Sequence, residues 1–584
     1  MSNKLYTTIP APKVPRNVFN RTRPNSLTMP FQRCVPTMLE EIYPGDLFRA
    51  NPEVFARMQP LVAPVMNNMK ISTHFFFVPL RTLNTHFAEF MFNNRTGDYS
   101  EVLPYTHTDV IFEIVSDLVQ NSEDELAVEV IRLLDFIGLP FKYSSKTSAA
   151  AFAGAWLTDS WNIAVKDAAL RVNLCPFFAY TKIWSEYFRD ENVEEDPFVD
   201  FETETGLNVK DWTGDQDTNL LAEGDDFARC FMQLRRRAWA HDRFTSALPF
   251  AQRGPDVLLP IAGTAPVKYK DGYLLEEGEE TKAGKIVYAT GQTPAEYTQF
   301  TGMSASSSER RFMSWPNTSA MTTGKNVAYD PNGSLFTDFD DSALTTTINA
   351  FRRAERLQRW YENSARGGIR PNEATLAHFG VKTPDATLDR AEYLGGSFQP
   401  IVVSEVAQTS ESTNSSPQGT LAGKGTSYKS NPGFRAFFTE HGFVFCFTSA
   451  LVRANYWQGI PKVFSRMQRD EYYWPEFANL GEEPVFTKEI YADTSEDDVF
   501  GYVPRYSDLK SAIGEVHGDM RSSMSFWTQT RDFANKPQLT REFLFGDPQV
   551  PTAVSSLSSD PLIVTIQFNV QASRLMPFYG VPTI

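Results

Sequence analysis

The chain has 584 residues, 71 acidic and 55 basic, for a formal net charge of −16. That sign excludes a protein that coats nucleic acid with its whole surface. Four cysteines without C-x-x-C spacing exclude a disulfide framework, and no apolar run approaches the ~18 residues of a membrane helix or forms an N-terminal signal.

The first 39 residues hold six cations (Lys4, Lys13, Arg16, Arg21, Arg23, Arg33), and the first carboxylate is Glu40. Six prolines from Pro10 to Pro36 forbid helix and favour an extended path. Residues 1–39 therefore read as a basic arm, with globular structure expected from about Met38. Ile71, Thr73, Phe75 and Phe77 share one face of a strand over 70–78. Ser122 and Glu125 have capping-box spacing. Behind them Leu126, Val130, Leu133, Leu134 and Ile137 recur at helical intervals, and Gly138 and Pro140 end the run. This helix is expected to pack outside the sheet or on a neighbouring subunit.

A second helix is predicted over 342–365, with Leu344, Ile348, Phe351, Leu357 and Tyr361 on its buried side and four arginines opposite. The Ser/Thr/Gly-rich stretch 404–431 reads as a long loop. Phe443, Val444, Phe445, Cys446 and Phe447 form a continuous apolar run, the signature of a strand buried on both faces, with Cys446 a buried free thiol. An aromatic group, Tyr472, Tyr473, Trp474 and Phe477, is expected to be structural, packed in the interior or at an interface; stacking on bases is its functional alternative. The alternation Ile563 to Phe568 predicts a final strand.

No spacing assembles a catalytic site, so no enzyme is expected. The seven histidines are scattered, and there is no G-x-S-x-G elbow, Walker loop or G-x-G-x-x-G. Ala422 to Thr426 has a phosphate-loop look but no strand–helix context. Asp493, Glu496, Asp497 and Asp498 offer oxygen ligands for a structural calcium, without EF-hand spacing, and a solvated acidic loop is the alternative. No other cofactor is implied.

Six blocks carry a family resemblance: 57–81, 176–192, 239–255, 360–406, 436–484 and 500–527. In this order they resemble the major capsid proteins of the Microviridae, small icosahedral single-stranded DNA phages, and in particular the gokushovirus branch. The resemblance implies a mainly β fold, an eight-stranded antiparallel viral jelly roll with long helical and loop insertions. It implies self-assembly into a T=1 icosahedral shell around a circular single-stranded DNA genome. Its implied partners are a small basic DNA-packaging protein, a pilot protein, a scaffolding protein during assembly and a host surface receptor. The implied place is the virion, assembled in the bacterial cytoplasm.

On that reading the chain divides into an interior arm (1–39), whose six cations contact DNA, and a first jelly-roll part (40–263) with a helical insertion near 97–190. Residues 264–340 follow as a variable surface insertion, and 341–584 supply the remaining strands. The resemblance fades over 264–340, where the family builds threefold protrusions, so this segment is expected to serve host attachment. The rival from another class is a β-sandwich carbohydrate-binding protein or glycosidase, resting on aromatic content and abundant carboxylates. A decoration protein of a larger phage is a third.

Overall fold

The computed structural model describes residues 15–92, 101–142, 148–255, 348–407, 421–494, 498–528, 530–546 and 560–579, with Val257, Thr409, Val554 and four three-residue strands between 267 and 337. Two compact units emerge, residues 1–253 with 362–584, and residues 254–361.

The larger unit is built on one antiparallel sheet of ten strands. These are β1 (Arg16–Asn20), β2 (Arg23–Met29), β3 (Val35–Ile42), β4 (Leu47–Met58), β5 (Met69–Pro79), β6 (Glu392–Ala407), β7 (Leu421–Ser430), β8 (Phe434–Phe437), β9 (Gly442–Val452) and β10 (Leu562–Leu575). The order is β1-β10-β4-β7-β6-β5-β9-β3, with β2 also pairing β10 and β8 also pairing β4. Strands from the two ends of the chain are thus neighbours, as in a jelly roll. The sheet curls until β2 lies beside β3, where side chains replace a backbone ladder. Arg23 donates to the Leu39 carbonyl at 3.1 Å and Asn25 to that of Thr37 at 2.6 Å. A free edge is a template for unwanted pairing, and this closure occupies it.

The fold is therefore the mainly β, curled antiparallel jelly roll with helical insertions that the sequence implies. Four local expectations change across the fold. The arm is shorter than predicted, because residues 16–29 are strands paired along β10, from Arg16 opposite Leu575 to Met29 opposite Leu562. Prolines forbid helix but not an edge strand, so the extended path was legible and its partner was not. Half of the expected loop 404–431 is the hairpin β6–β7, paired from Val402 with Thr426 to Ala407 with Leu421; residues 410–420 lie outside the described residues. The phosphate-loop lookalike is thus plain strand. Gly433, between β7 and β8, sits where a Cβ would run into the Ala50 carbonyl, so the close return onto β4 requires glycine.

The inner face of the sheet packs on itself through Phe48, Val54, Ile71, Phe75, Val444, Cys446, Val564, Ile566 and Phe568, all fully or almost fully buried. Outside β5 and β9 lies a helical layer. Its helices are α1 (Thr108–Gln120), α2 (Asp124–Ile137), α3 (Ala149–Thr158), α4 (Ser160–Asp167), α5 (Cys175–Tyr187) and α6 (Pro197–Thr205). They bury Phe76, Val78, Phe443, Phe445 and Phe447 against Ile111, Ile131, Leu134, Phe178 and Trp184. Packing of α2 outside the sheet agrees with expectation, and Gly138 ends it at φ 107°. The capping box does not form: Ser122 adopts φ 64°, Glu123 is the N-cap residue, and no side chain caps the helix.

In the second unit, Val267–Tyr269 pairs Leu335–Thr337 and Met303–Ala305 pairs Arg311–Met313, both antiparallel. Helix α7 (Ile348–Gly367) begins there. Residues 342–347, including Leu344, lie outside the described residues. The expected buried side is exposed, Ile348 at 70% and Phe351 at 53%. An amphipathic pattern reports a face that favours covering, not that the same chain covers it.

Candidate assembly and nucleic-acid surfaces

The cations of the N-terminal segment meet different fates. Lys4 and Lys13 lie outside the described residues. Arg16 donates to the carbonyls of Ser573 (3.0 Å) and Gly45 (2.7 Å), fastening β1 across the end of the sheet. Arg21 and Arg23 both pair with Glu40, at 2.8 and 2.5 Å, and the Glu40 side chain is only 1% exposed. Arg33 is buried and pairs with Glu129 of α2 at 2.9 Å. A buried carboxylate needs such partners to stay charged. Three of the six cations therefore neutralise carboxylates of their own chain, a role that a list of cations without nearby anions in sequence did not reveal.

The aromatic group is not interior. Tyr472, Tyr473, Trp474 and Phe477 are 36–56% exposed, and nearby Phe464 and Met467 reach 72% and 81%. The interior half of the expectation is corrected and the interface half is not; the segment crosses the surface between short turns. It is nevertheless held firmly. Gln468 and Glu471 form a reciprocal capping box, Arg466 pairs with Asp508, and Lys462 pairs with Glu483 at 2.7 Å. Tyr506, at φ 60°, stacks edge-on against Tyr473 with centroids 5.1 Å apart and donates its hydroxyl proton to the Tyr472 carbonyl at 3.1 Å. An anchored apolar surface is a contact surface. Within 460–480 the cations Lys462, Arg466 and Arg469 are matched by Asp470, Glu471 and Glu476, so the patch is locally neutral in an acidic chain.

Of the calcium candidates, Glu496 and Asp497 lie outside the described residues. Asp493 is exposed, and Asp498 pairs with the Lys536 ammonium at 2.5 Å and accepts from Thr494 at 3.3 Å. The Lys536 ammonium, and after it a hydrogen bond with Thr487, hold the Asp498 carboxyl below its usual range, so a cation already serves this oxygen. A separate cluster, His107 with Asp215 and Asp217, is knit internally: Asp217 takes His107 Nδ1 at 2.6 Å and the Thr106 hydroxyl at 2.7 Å.

One surface escaped the sequence reading. Among the described residues, the outer face of the β10-β4-β7-β6 half of the sheet carries no helical layer. Arg49, Phe55 and Arg57 of β4, Lys424 and Tyr428 of β7, Phe398 of β6, and Arg435 and Phe437 of β8 are all exposed there. The signal was present in 47–58, where Phe48, Ala50, Val54 and Ala56 alternate with Arg49, Asn51, Phe55 and Arg57.

A curled antiparallel jelly-roll sheet with firmly anchored apolar surface left exposed suits a structural protein that associates. Comparison with known proteins gives the family. The profile of the family described as "Capsid protein (F protein)" matches residues 7–109 and 145–584. Over its whole length the chain is 30% identical to capsid protein VP1 of Chlamydia phage 1, covering 98% of that protein. It is 30% identical to capsid protein VP1 of Bdellovibrio phage phiMH2K, with 99% of this chain and 97% of that one aligned. With capsid protein VP1 of Spiroplasma virus 4 it shares 27% identity, with coverages of 94% and 91%. The chain belongs to the capsid protein (F protein) family of phages, of the gokushovirus-like Microviridae type. Its role is structural. Among the described residues no helix is long and apolar enough to cross a membrane.

Proposed function

We propose that copies of this chain assemble into a T=1 icosahedral shell enclosing a circular single-stranded DNA genome. The full-length similarity to phage capsid proteins carries this reading. The anchored, neutral, apolar segment 460–480 supports it: acidic subunits repel unless they meet where charge is balanced, and apolar contact supplies the attraction. In the same reading residues 264–340 stand at the outer threefold vertices and serve host attachment. A small basic packaging protein, a pilot protein and a scaffolding protein complete the assembly in the bacterial cytoplasm.

Expression followed by size exclusion and negative-stain microscopy tests the shell. Uniform small particles of megadalton mass with nuclease-protected single-stranded DNA are expected; a lone monomer under all conditions refutes it. Excising 268–334 behind a short Gly/Ser linker is expected to leave particles intact and abolish adsorption to the host. Failure of assembly in that variant refutes the attachment role.

A further inference from the structure

The open half of the sheet carries an arrangement that neither barrel folding nor the segment 460–480 uses. Four cations stand on it: Arg49 and Arg57 on β4, Lys424 on β7 and Arg435 on β8, all exposed. Among the described residues none of the four has a carboxylate within ion-pairing distance, whereas Arg21, Arg23 and Arg33 all do. The nearby carboxylate of the same β4 row, Glu53, accepts from Asn569 at 3.0 Å.

Arg49 and Arg435 are directly opposite in the β4–β8 ladder. Like charges in that position destabilise a sheet, and an anion laid across them reverses the sign. Four unmatched cations on one face of a chain with net charge −16 fit a polyanion.

Between the cations stand rings. Phe55 and Tyr428 are opposite in register, with centroids 6.5 Å apart, and Tyr428 is 69% exposed. The Arg57 guanidinium lies 5.0 Å from the Phe55 ring centroid. Phe398 and Phe437 are also exposed, at 50% and 59%. A row of phosphate-seeking cations beside uncovered rings is the chemistry that holds unpaired bases, since every base offers a π-face. A duplex keeps its bases stacked inside and leaves such rings unused. Arg49 and Arg57 are eight residues apart on one strand, about 27 Å at ~3.4 Å per residue, a length suited to several nucleotides.

We propose that the outer face of β10-β4-β7-β6 is a binding platform for single-stranded polynucleotide, with Arg49, Arg57, Lys424 and Arg435 on phosphates and Phe55 and Tyr428 stacking on bases. Its assignment to the genome rests on the shell reading above. It replaces Arg21, Arg23 and Arg33 as the principal DNA contact.

The test uses the full chain with a fluorescent oligothymidylate, titrated at several salt concentrations, against a duplex of equal length. Wild type is expected to prefer the single strand, with affinity falling steeply as salt rises. R49Q/R57Q/K424Q/R435Q is expected to bind at least tenfold more weakly and with a shallower salt dependence, while its melting temperature stays unchanged or rises. Phe55→Ala with Tyr428→Ala is expected to weaken single-strand binding several-fold at an unchanged salt slope. Wild-type affinity and slope in the quadruple variant overturn the platform. Equal duplex and single-strand binding, insensitive to the ring variants, overturns the stacking. If the quadruple variant keeps its DNA affinity but no longer forms particles, the face is a subunit contact and the proposal is wrong. The two readings separate cleanly. Particles with normal DNA content from the quadruple variant refute the platform alone, and retained oligonucleotide binding by a wild-type chain that never forms particles refutes the shell alone.

Discussion

The two halves of the sheet are made of the same antiparallel ladder yet treat their outer faces in opposite ways. On β5 and β9 almost every residue is buried, because α5 and the helical layer behind it cover the outside. On β4 and β10 burial alternates residue by residue, and the outer row meets solvent. A Phe in one half is core on either face, and in the other half only on the inner face. What a strand residue contributes is thus set by the layer behind it, not by the strand.

Substitutions that probe this contrast differ in size. The largest effect is expected at Phe76, buried under the helical layer with ring centroids 4.8 Å from Tyr187 and 5.7 Å from Phe447. Phe76→Ala is expected to destabilise the subunit by about 3–5 kcal/mol in urea unfolding. A loss below about 1 kcal/mol would show that the layer is not packed as described.

Next comes the seam where β2 meets β3. Replacing Arg21 and Arg23 together with Gln leaves Glu40 buried without a cation and is expected to destabilise by roughly 2–4 kcal/mol. The loss should appear in subunit melting without any DNA present. Unchanged subunit melting with altered DNA content would return these arginines to the role of a free basic arm.

Smaller, and opposite in sign, is the effect at Asp135 in α2. Burial, reinforced by the charge of Asp560, pushes its carboxyl up from 3.8 to about 6. Between those values the folded chain holds a proton that the unfolded chain releases, so this contribution to stability declines as pH rises from about 4 to about 6. Asp135→Asn is expected to raise stability near pH 7 by roughly 1–2 kcal/mol, allowing for residual solvent screening, and to flatten the profile across that window. Melting temperatures at a series of pH values check both.

The smallest change is expected on the open face. Phe55 is 38% exposed, and Phe55→Ala is expected to alter subunit stability by no more than about 0.5 kcal/mol. A loss comparable to that of Phe76→Ala would mean that the face is covered within the chain, and would erase the contrast between the halves.

The difference between the halves was partly legible in the chain itself. Phe443 to Phe447 is continuously apolar, and only burial on both faces accommodates that; Ile563 to Phe568 alternates, and a half-buried strand follows. Prolines, glycines and apolar spacing likewise determined where extended structure and α2 lie, because these signals act over a few residues. What the sequence could not determine is which distant segments meet. That Arg21 and Arg23 reach Glu40, that β6–β7 is a hairpin despite its loop-like composition, and that Trp474 stays partly exposed all depend on contacts between separated residues. Ring and charge together do not say whether a neighbour lies above them. Only the curl of the sheet, by deciding which cations find carboxylates and which aromatic rows stay open, separates the residues that hold this subunit together from those left to bind something else.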